Sequence, residues 1–203
     1  MKRTNVAGVS IWNVFQPDRR IDFNGFYWQR EAGSVLIDPM PMGPETASAV
    51  ETSVAWILLT CADHLRAAPQ LAKQFGAKIA APSCDREALA EAPIDAWFDH
   101  DTPLPDALSE DIEVRWIHGG KTQAEAVFYL RPCRAILFGD AVRSHESGVL
   151  RLLPDAKISD RDALIADVQA LRNLNFASIL LGDGDCLFTG AHGAFLSFLR
   201  ELD

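Results

Sequence analysis

Short apolar runs separated by turn residues fill the first forty positions. Ser10-Ile11-Trp12-Asn13-Val14-Phe15 alternates polar and apolar residues in part, and Gly25-Phe26-Tyr27-Trp28 and Ser34-Val35-Leu36-Ile37 follow as aromatic or branched runs. Such side chains suit a pleated, half-buried surface, so the segment reads as a meander of strands that ends at Asp38-Pro39-Met40-Pro41. The rhythm then changes. Thr46 to Glu51 reads as a short helix, and Ala55 to Leu59 as an all-apolar strand of the kind covered on both faces. A helix is expected from close to Pro69, because proline at the first helical position gives up no needed hydrogen bond, as far as Gly76. Ala77 to Ala81 supplies the next strand.

The second half repeats this order. Residues 92–110, rich in Pro, Asp and Ala, read as a long surface excursion. Ile112 to Ile117, Ala126 to Leu130 and Ala135 to Phe138 read as strands. Ser159, with Asp162 three positions on, resembles a capping box, and Leu164, Val168 and Leu171 line one face of the helix it opens. Ile179 to Leu181 is a last buried strand, and Ala191 to Leu199 a closing helix. Strand groups alternating with helices imply sheets with helices packed outside them.

With 203 residues, 48% of them hydrophobic, the chain can bury one substantial core, and we read residues 1–203 as one domain. Nineteen basic against 28 acidic residues give a net charge of −9. That balance repels polyanions, and no basic patch offsets it, so no nucleic-acid partner is expected. No apolar run approaches the roughly 20 residues that span a bilayer, and the first residues lack the apolar stretch of a secretory signal. The expectation is a cytoplasmic protein with a small-molecule substrate or ligand, no membrane partner, and room for a homo-oligomer. Cys61, Cys84, Cys133 and Cys186 are widely spaced and read as buried free thiols.

Polar residues gather where the buried strands end. Asp63-His64 follows one strand, Gly119-Gly120-Lys121-Thr122 another, Gly139-Asp140 a third and Gly182-Asp183-Gly184-Asp185 the last. Strand ends at one edge of a sheet converge on a crevice. This order resembles the metallo-β-lactamase fold superfamily, with its HxHxDH motif, GH[ST] turn, GD after an apolar strand and C-terminal GHG. The resemblance spans nearly the whole chain and implies an α/β protein, a four-layer αββα sandwich.

Departures from the pattern limit the chemistry. With HxHxDH set on residues 59–64, Leu59 and Cys61 stand where the family has histidines, and the turn histidine falls on Lys121. An ammonium group competes with a cation and does not bind one. The resemblance leaves Asp63, His64, Asp140 and Asp183 as metal-ligand candidates. Converging carboxylates raise one another's pKa unless a positive charge sits among them. One divalent ion (zinc, iron or manganese) answers that need; the Lys121 ammonium, with no ion at all, is the other answer.

Duller roles are open to each residue. Asp63 could cap the following helix, Gly-Asp-Gly-Asp could be turn chemistry, and Cys61, a soft replacement ligand or a reactive thiol on the functional reading, could be a small buried side chain. His118 could be a displaced ligand, a general acid or a residue bordering the crevice, and Arg143 and His145 could line its entrance. Calcium-binding and P-loop readings fail. The first lacks further ligands, and the glycine the second requires is Arg115.

Two functions are expected from this, with a third behind them. One is a divergent hydrolase-like protein with at most one metal site, acting on a small ester, thioester or phosphoester, with Asp63 and Lys121 as catalytic residues. The alternative is a non-catalytic member of the fold that binds a small ligand or a protein partner, Lys121 replacing the lost metal charge. Redox chemistry at a lone iron comes third.

Overall fold

The structure is a computed structural model and describes residues 1–202. Its contacts gather into two compact units, Met1–Glu110 and Asp111–Asp203.

The first unit is built on a seven-stranded sheet. Its strands are β1 (Lys2–Arg3), β2 (Val9–Gln16), β3 (Ile21–Trp28), β4 (Ser34–Ile37), β5 (Val54–Leu58), β6 (Lys78–Pro82) and β7 (Ala96–Phe98), hydrogen-bonded in sequence order. Strands β1 to β4 pair antiparallel, as the expected meander requires, and β4 to β7 pair parallel. Helix α1 (Pro44–Ser48) joins β4 to β5, and α2 (Ala68–Phe75) joins β5 to β6. Pro69 lies in the first turn of α2, and Gly76 closes it in the left-handed conformation at φ 69°, which glycine adopts without steric cost. Ala68 and Leu71 are buried, and Leu71 joins Leu36, Ile57, Leu59 and Ile79 in one apolar cluster. Fully burying a side chain of this size contributes about 1.5–3 kcal/mol.

Gly25 shows how tightly the meander packs. It pairs with Trp12 across β2 and β3, and a Cβ at Gly25 would lie 2.6 Å from the Trp12 ring and 2.8 Å from the Met40 nitrogen. The indole fills the place of the missing side chain and donates its N–H to the Met40 carbonyl at 3.1 Å.

The second unit has a four-stranded sheet in the order β13-β10-β9-β8, formed by β8 (Ile112–His118), β9 (Ala124–Leu130), β10 (Ala135–Phe138) and β13 (Ser178–Leu181). A separate hairpin is made by β11 (Val142–Glu146) and β12 (Val149–Leu152). Helices α4 (Arg161–Ala170) and α5 (Ala191–Leu202) pack on these strands, and Val127, Ile136, Phe138, Leu164, Val168 and Phe195 sit in the core.

Three expectations need correction. Residues 92–110 are not a featureless excursion: they supply edge strand β7 and a short helix, α3 (Asp106–Ser109). Three residues carry too little periodicity to announce a strand, and β7 forms because the β6 edge pairs with it. The cap of α4 is Asp160, whose carboxylate accepts from the Ala163 N–H at 3.1 Å. Ser159 instead donates its hydroxyl to the Gly120 carbonyl at 3.0 Å. Hairpin β11–β12 was not anticipated, because Arg143, Ser144, His145 and Glu146 hide its apolar alternation.

Candidate functional site

In the first unit the expected ligands leave the end of β5 in different environments. Thr60 and Cys61 are buried, and the chain then makes a tight turn over Ala62–His64. His64 is buried, whereas Asp63 is exposed. Asp63 does not cap α2, whose first residue is preceded by Ala67 with no side-chain bond.

A second carboxylate, Asp38, organises this turn. The parallel register of β4 against β5 sets Ile37 beside Leu58, which brings Asp38 to Thr60. Asp38 is fully buried at φ 47°, a left-handed conformation that aspartate tolerates better than most residues. Its Oδ1 accepts from the Thr60 N–H at 2.9 Å and its Oδ2 from the Thr60 hydroxyl at 2.7 Å. The same Oδ2 lies 2.6 Å from His64 Nδ1.

An ionised carboxylate only accepts, so the hydrogen-bond network puts the imidazole proton on Nδ1 and leaves Nε2 as an acceptor. That acceptor faces Arg66 Nη2 at 3.1 Å. Arg66 also donates from Nη1 to the carbonyls of Asn24 and Asp38, at 2.8 and 3.2 Å, and its guanidinium lies over the Phe23 ring at 5.2 Å.

Asp85 stands on the other side of the turn, accepting from the Ala62 N–H at 2.7 Å. Burial is the main cause that pushes its carboxyl above the ordinary carboxylate value, to about 6; the Ala62 hydrogen bond opposes the rise and the Asp63 charge adds to it.

In the second unit Lys121, Asp140 and Asp183 come together, joined by a residue given no ligand role in the sequence. Arg143, from β11, places Nη2 at 2.5 Å from Asp183 Oδ2 and at 3.7 Å from Asp140 Oδ1. Lys121 Nζ lies 3.5 Å from Asp140 Oδ2. Asp183 is fully buried, Asp140 and Arg143 nearly so, and Lys121 is partly exposed. Two carboxylates thus face two cations in a largely dry setting, where an uncompensated charge would be costly. Contrary to the expectation that it lines the entrance, the Arg143 side chain is 10% exposed and turned onto the carboxylates.

Backbone geometry fixes each participant. Gly119, at φ 71°, could not carry a side chain, since its Cβ would sit 2.0 Å from the Asp160 carbonyl oxygen; the Gly119 carbonyl accepts from the N–H groups of Ser159 and Asp160. The turn that carries Lys121 is therefore tied to the start of α4. Gly184, at φ 90°, would meet the Ser144 oxygen at 1.7 Å, and the Ser144 N–H donates to the Asp183 carbonyl at 3.3 Å. This close approach of the loop after β13 to β11 brings Asp183 to Arg143. Glu125, buried on β9, accepts from the N–H groups of Gly139, Asp140 and Ala141 at 2.9, 2.7 and 2.8 Å and so positions the Asp140 loop.

The other histidines are engaged elsewhere or open to solvent. His118 turns its Nδ1 to Asp167 Oδ2 at 2.8 Å, on helix α4. His192 packs edge-on against Phe176 and meets the Arg172 carbonyl at 3.1 Å. His100 and His145 are exposed.

Sequence reading missed Asp38, Arg66 and Glu125, and gave Arg143 only a place at the crevice entrance. Two of them carried a signal: Glu125 is a lone carboxylate in the apolar run Ala124–Leu130, and Asp38 ends a strand that is apolar after its first residue.

Comparison with known proteins agrees with this picture. A family model described as the metallo-beta-lactamase superfamily matches residues 1–202. No curated protein matches the sequence. Among solved structures, the DIM-1 metallo-beta-lactamase superimposes with a TM-score of 0.74 at 17% identity, covering 100% of this chain and 97% of that one. A metallo-beta-lactamase from Pontibacter korlensis gives 0.74 at 18% identity, with 98% and 97% covered. The mono-zinc form of FIM-1 from Pseudomonas aeruginosa gives 0.71 at 15%, with 96% and 91% covered. At such identities these likenesses speak for the fold, the αββα sandwich expected from the motif order, and with the family model they lead to one conclusion: the chain belongs to the metallo-β-lactamase superfamily.

Proposed function

We propose that residues 1–203 act as a single metallo-β-lactamase-like domain that binds a small-molecule ligand at its strand ends, with lysine and arginine side chains supplying the positive charge that metal ions supply in the family. One observation carries this reading: Asp140, Asp183 and His64, three of the four ligand candidates, each face a cationic side chain. The family's two-ion centre does not fit the residues present. Leu59 cannot ligate, Lys121 repels a cation, and Arg143 binds the Asp183 carboxylate. Metal analysis of protein purified without chelator tests the reading. It requires no more ion in the wild type than in Asp140→Ala; one ion per chain, lost in that variant, overturns it.

Superfamily membership supports a hydrolase-like function, and one observation favours a second reading of that kind. Asp38 holds His64 through Nδ1, which is how carboxylates orient metal-bound histidines. Here one divalent ion, zinc, iron or manganese, would be held by Asp63, His64, Asp140 and Asp183, with Asp63 and Lys121 acting on a small ester, thioester or phosphoester. Turnover of such a panel, lost together with the ion in Asp140→Ala, would establish it. Lys121→His separates the two further: the hydrolase reading expects loss of turnover, the first a protein that never had any.

We place the protein in the cytosol, on its four free cysteines; no helix of the described residues is long and apolar enough to cross a membrane.

A further inference from the structure

We propose that Arg143 is the group that excludes divalent ions from the Asp140 and Asp183 carboxylates, so that removing its charge uncovers a latent metal site there. The inference rests on the charge-substituted reading above and goes past it by naming one residue as the determinant. Neither the family pattern nor the strand-end motifs single out Arg143.

Geometry carries the argument. Arg143 contacts both carboxylates, at 2.5 Å from Asp183 and 3.7 Å from Asp140, and Lys121 lies 3.5 Å from Asp140. Arg143 Nη2 donates directly to Asp183 Oδ2, so the guanidinium is Asp183's hydrogen-bonded partner. Desolvation points the same way. Arg143 Nε is buried with no hydrogen-bond partner among the described residues, which disfavours folding, so the guanidinium is held in place by neutralising the carboxylates. An arginine stays charged at any pH the fold survives, so this neutralisation cannot be titrated away.

Taking out the guanidinium removes the close counter-charge of Asp183 and leaves the Lys121 ammonium beside Asp140, so the buried pair is one positive charge short and favours a further cation. Oxygen donors of this kind suit Mn²⁺, and Asp183 has only to exchange one cation for another. The backbone that positions the pair stays the same, because the Ser144 and Asp183 contact and the Glu125 hydrogen bonds involve no atom of the Arg143 side chain.

The test measures Mn²⁺ and Zn²⁺ binding by calorimetry on chelator-treated wild type, Arg143→Met, Arg143→Lys and Arg143→Met with Asp183→Ala. Expected is at least a tenfold tighter Mn²⁺ Kd in Arg143→Met than in wild type, lost again with Asp183→Ala, and none of this gain in Arg143→Lys. Added Mn²⁺ should also raise the melting temperature of Arg143→Met alone. If Arg143→Met does not fold by circular dichroism, the proposal requires that Mn²⁺ restore the fold during refolding. No restoration overturns it. A metal-free wild type whose Arg143→Met gains no affinity overturns this inference and leaves the charge-substituted reading standing; a wild type that itself takes up one ion per chain overturns both.

Discussion

The Glu125 carboxylate receives the backbone N–H of Asp140 at 2.7 Å and those of its two neighbours at 2.9 and 2.8 Å, so a buried acid on β9 sets where the Asp140 side chain begins. In Glu125→Gln one acceptor oxygen becomes an amide that faces an N–H donor. Leaving a buried donor unsatisfied costs about 1–3 kcal/mol. Urea unfolding should show a loss of that size. The variant should also disturb the backbone amide signals of Gly139 to Ala141 in an NMR spectrum more than those of β2 and β3.

Asp38 plays the corresponding part in the first unit. Asp38→Asn keeps the size and tolerates the left-handed backbone but lacks the second acceptor oxygen that now serves the Thr60 hydroxyl and His64. A destabilisation of about 1–3 kcal/mol is expected. The imidazole should lose its fixed Nδ1 proton, which ¹⁵N chemical shifts of the ring report directly; an unchanged tautomer would show that Asp38 does not orient His64.

Asp85 gives the fold a pH dependence whose sign is set by burial. Its carboxyl is held at about 6, above the ordinary 3.8, so the folded chain binds this proton more tightly than the unfolded one. The contribution is fully present below the ordinary value and is lost as pH rises through about 6. Asp85→Asn keeps a carbonyl acceptor for the Ala62 N–H and removes the titration. The melting temperature of wild type relative to Asp85→Asn should therefore fall between pH 4 and pH 7. A flat difference would exclude this role.

Cys186 should resist thiol reagents in the native protein. Burial pushes its thiol up to about 12, with the Asp185 charge adding to the rise, so almost no thiolate exists at pH 8. Peptide mapping after alkylation should find Cys186 unmodified until denaturant is added.

Gly25→Ala tests the packing of the meander. Its methyl group would press on the Trp12 ring and the Met40 nitrogen, at 2.6 and 2.8 Å. Overpacking of this kind costs about 1–3 kcal/mol. Thermal unfolding monitored by tryptophan fluorescence should show both the loss and a shifted Trp12 environment.

Hydrophobic periodicity by itself determined most of the strands and the helices α2, α4 and α5, because burial on one face or two is written into neighbouring residues. Motif order determined the family, since strand-end residues such as Gly139-Asp140 keep their sequence positions even when the ligands change. Tertiary structure alone decided what surrounds those residues. Arg143 lies 40 positions from Asp183, Asp38 26 from His64 and Glu125 15 from Asp140, and no local pattern marks such partners. Their pairing follows from strand register and loop docking. A buried charge must find its counter-charge wherever the folded backbone brings one within reach, and that partner is fixed in space, not along the chain.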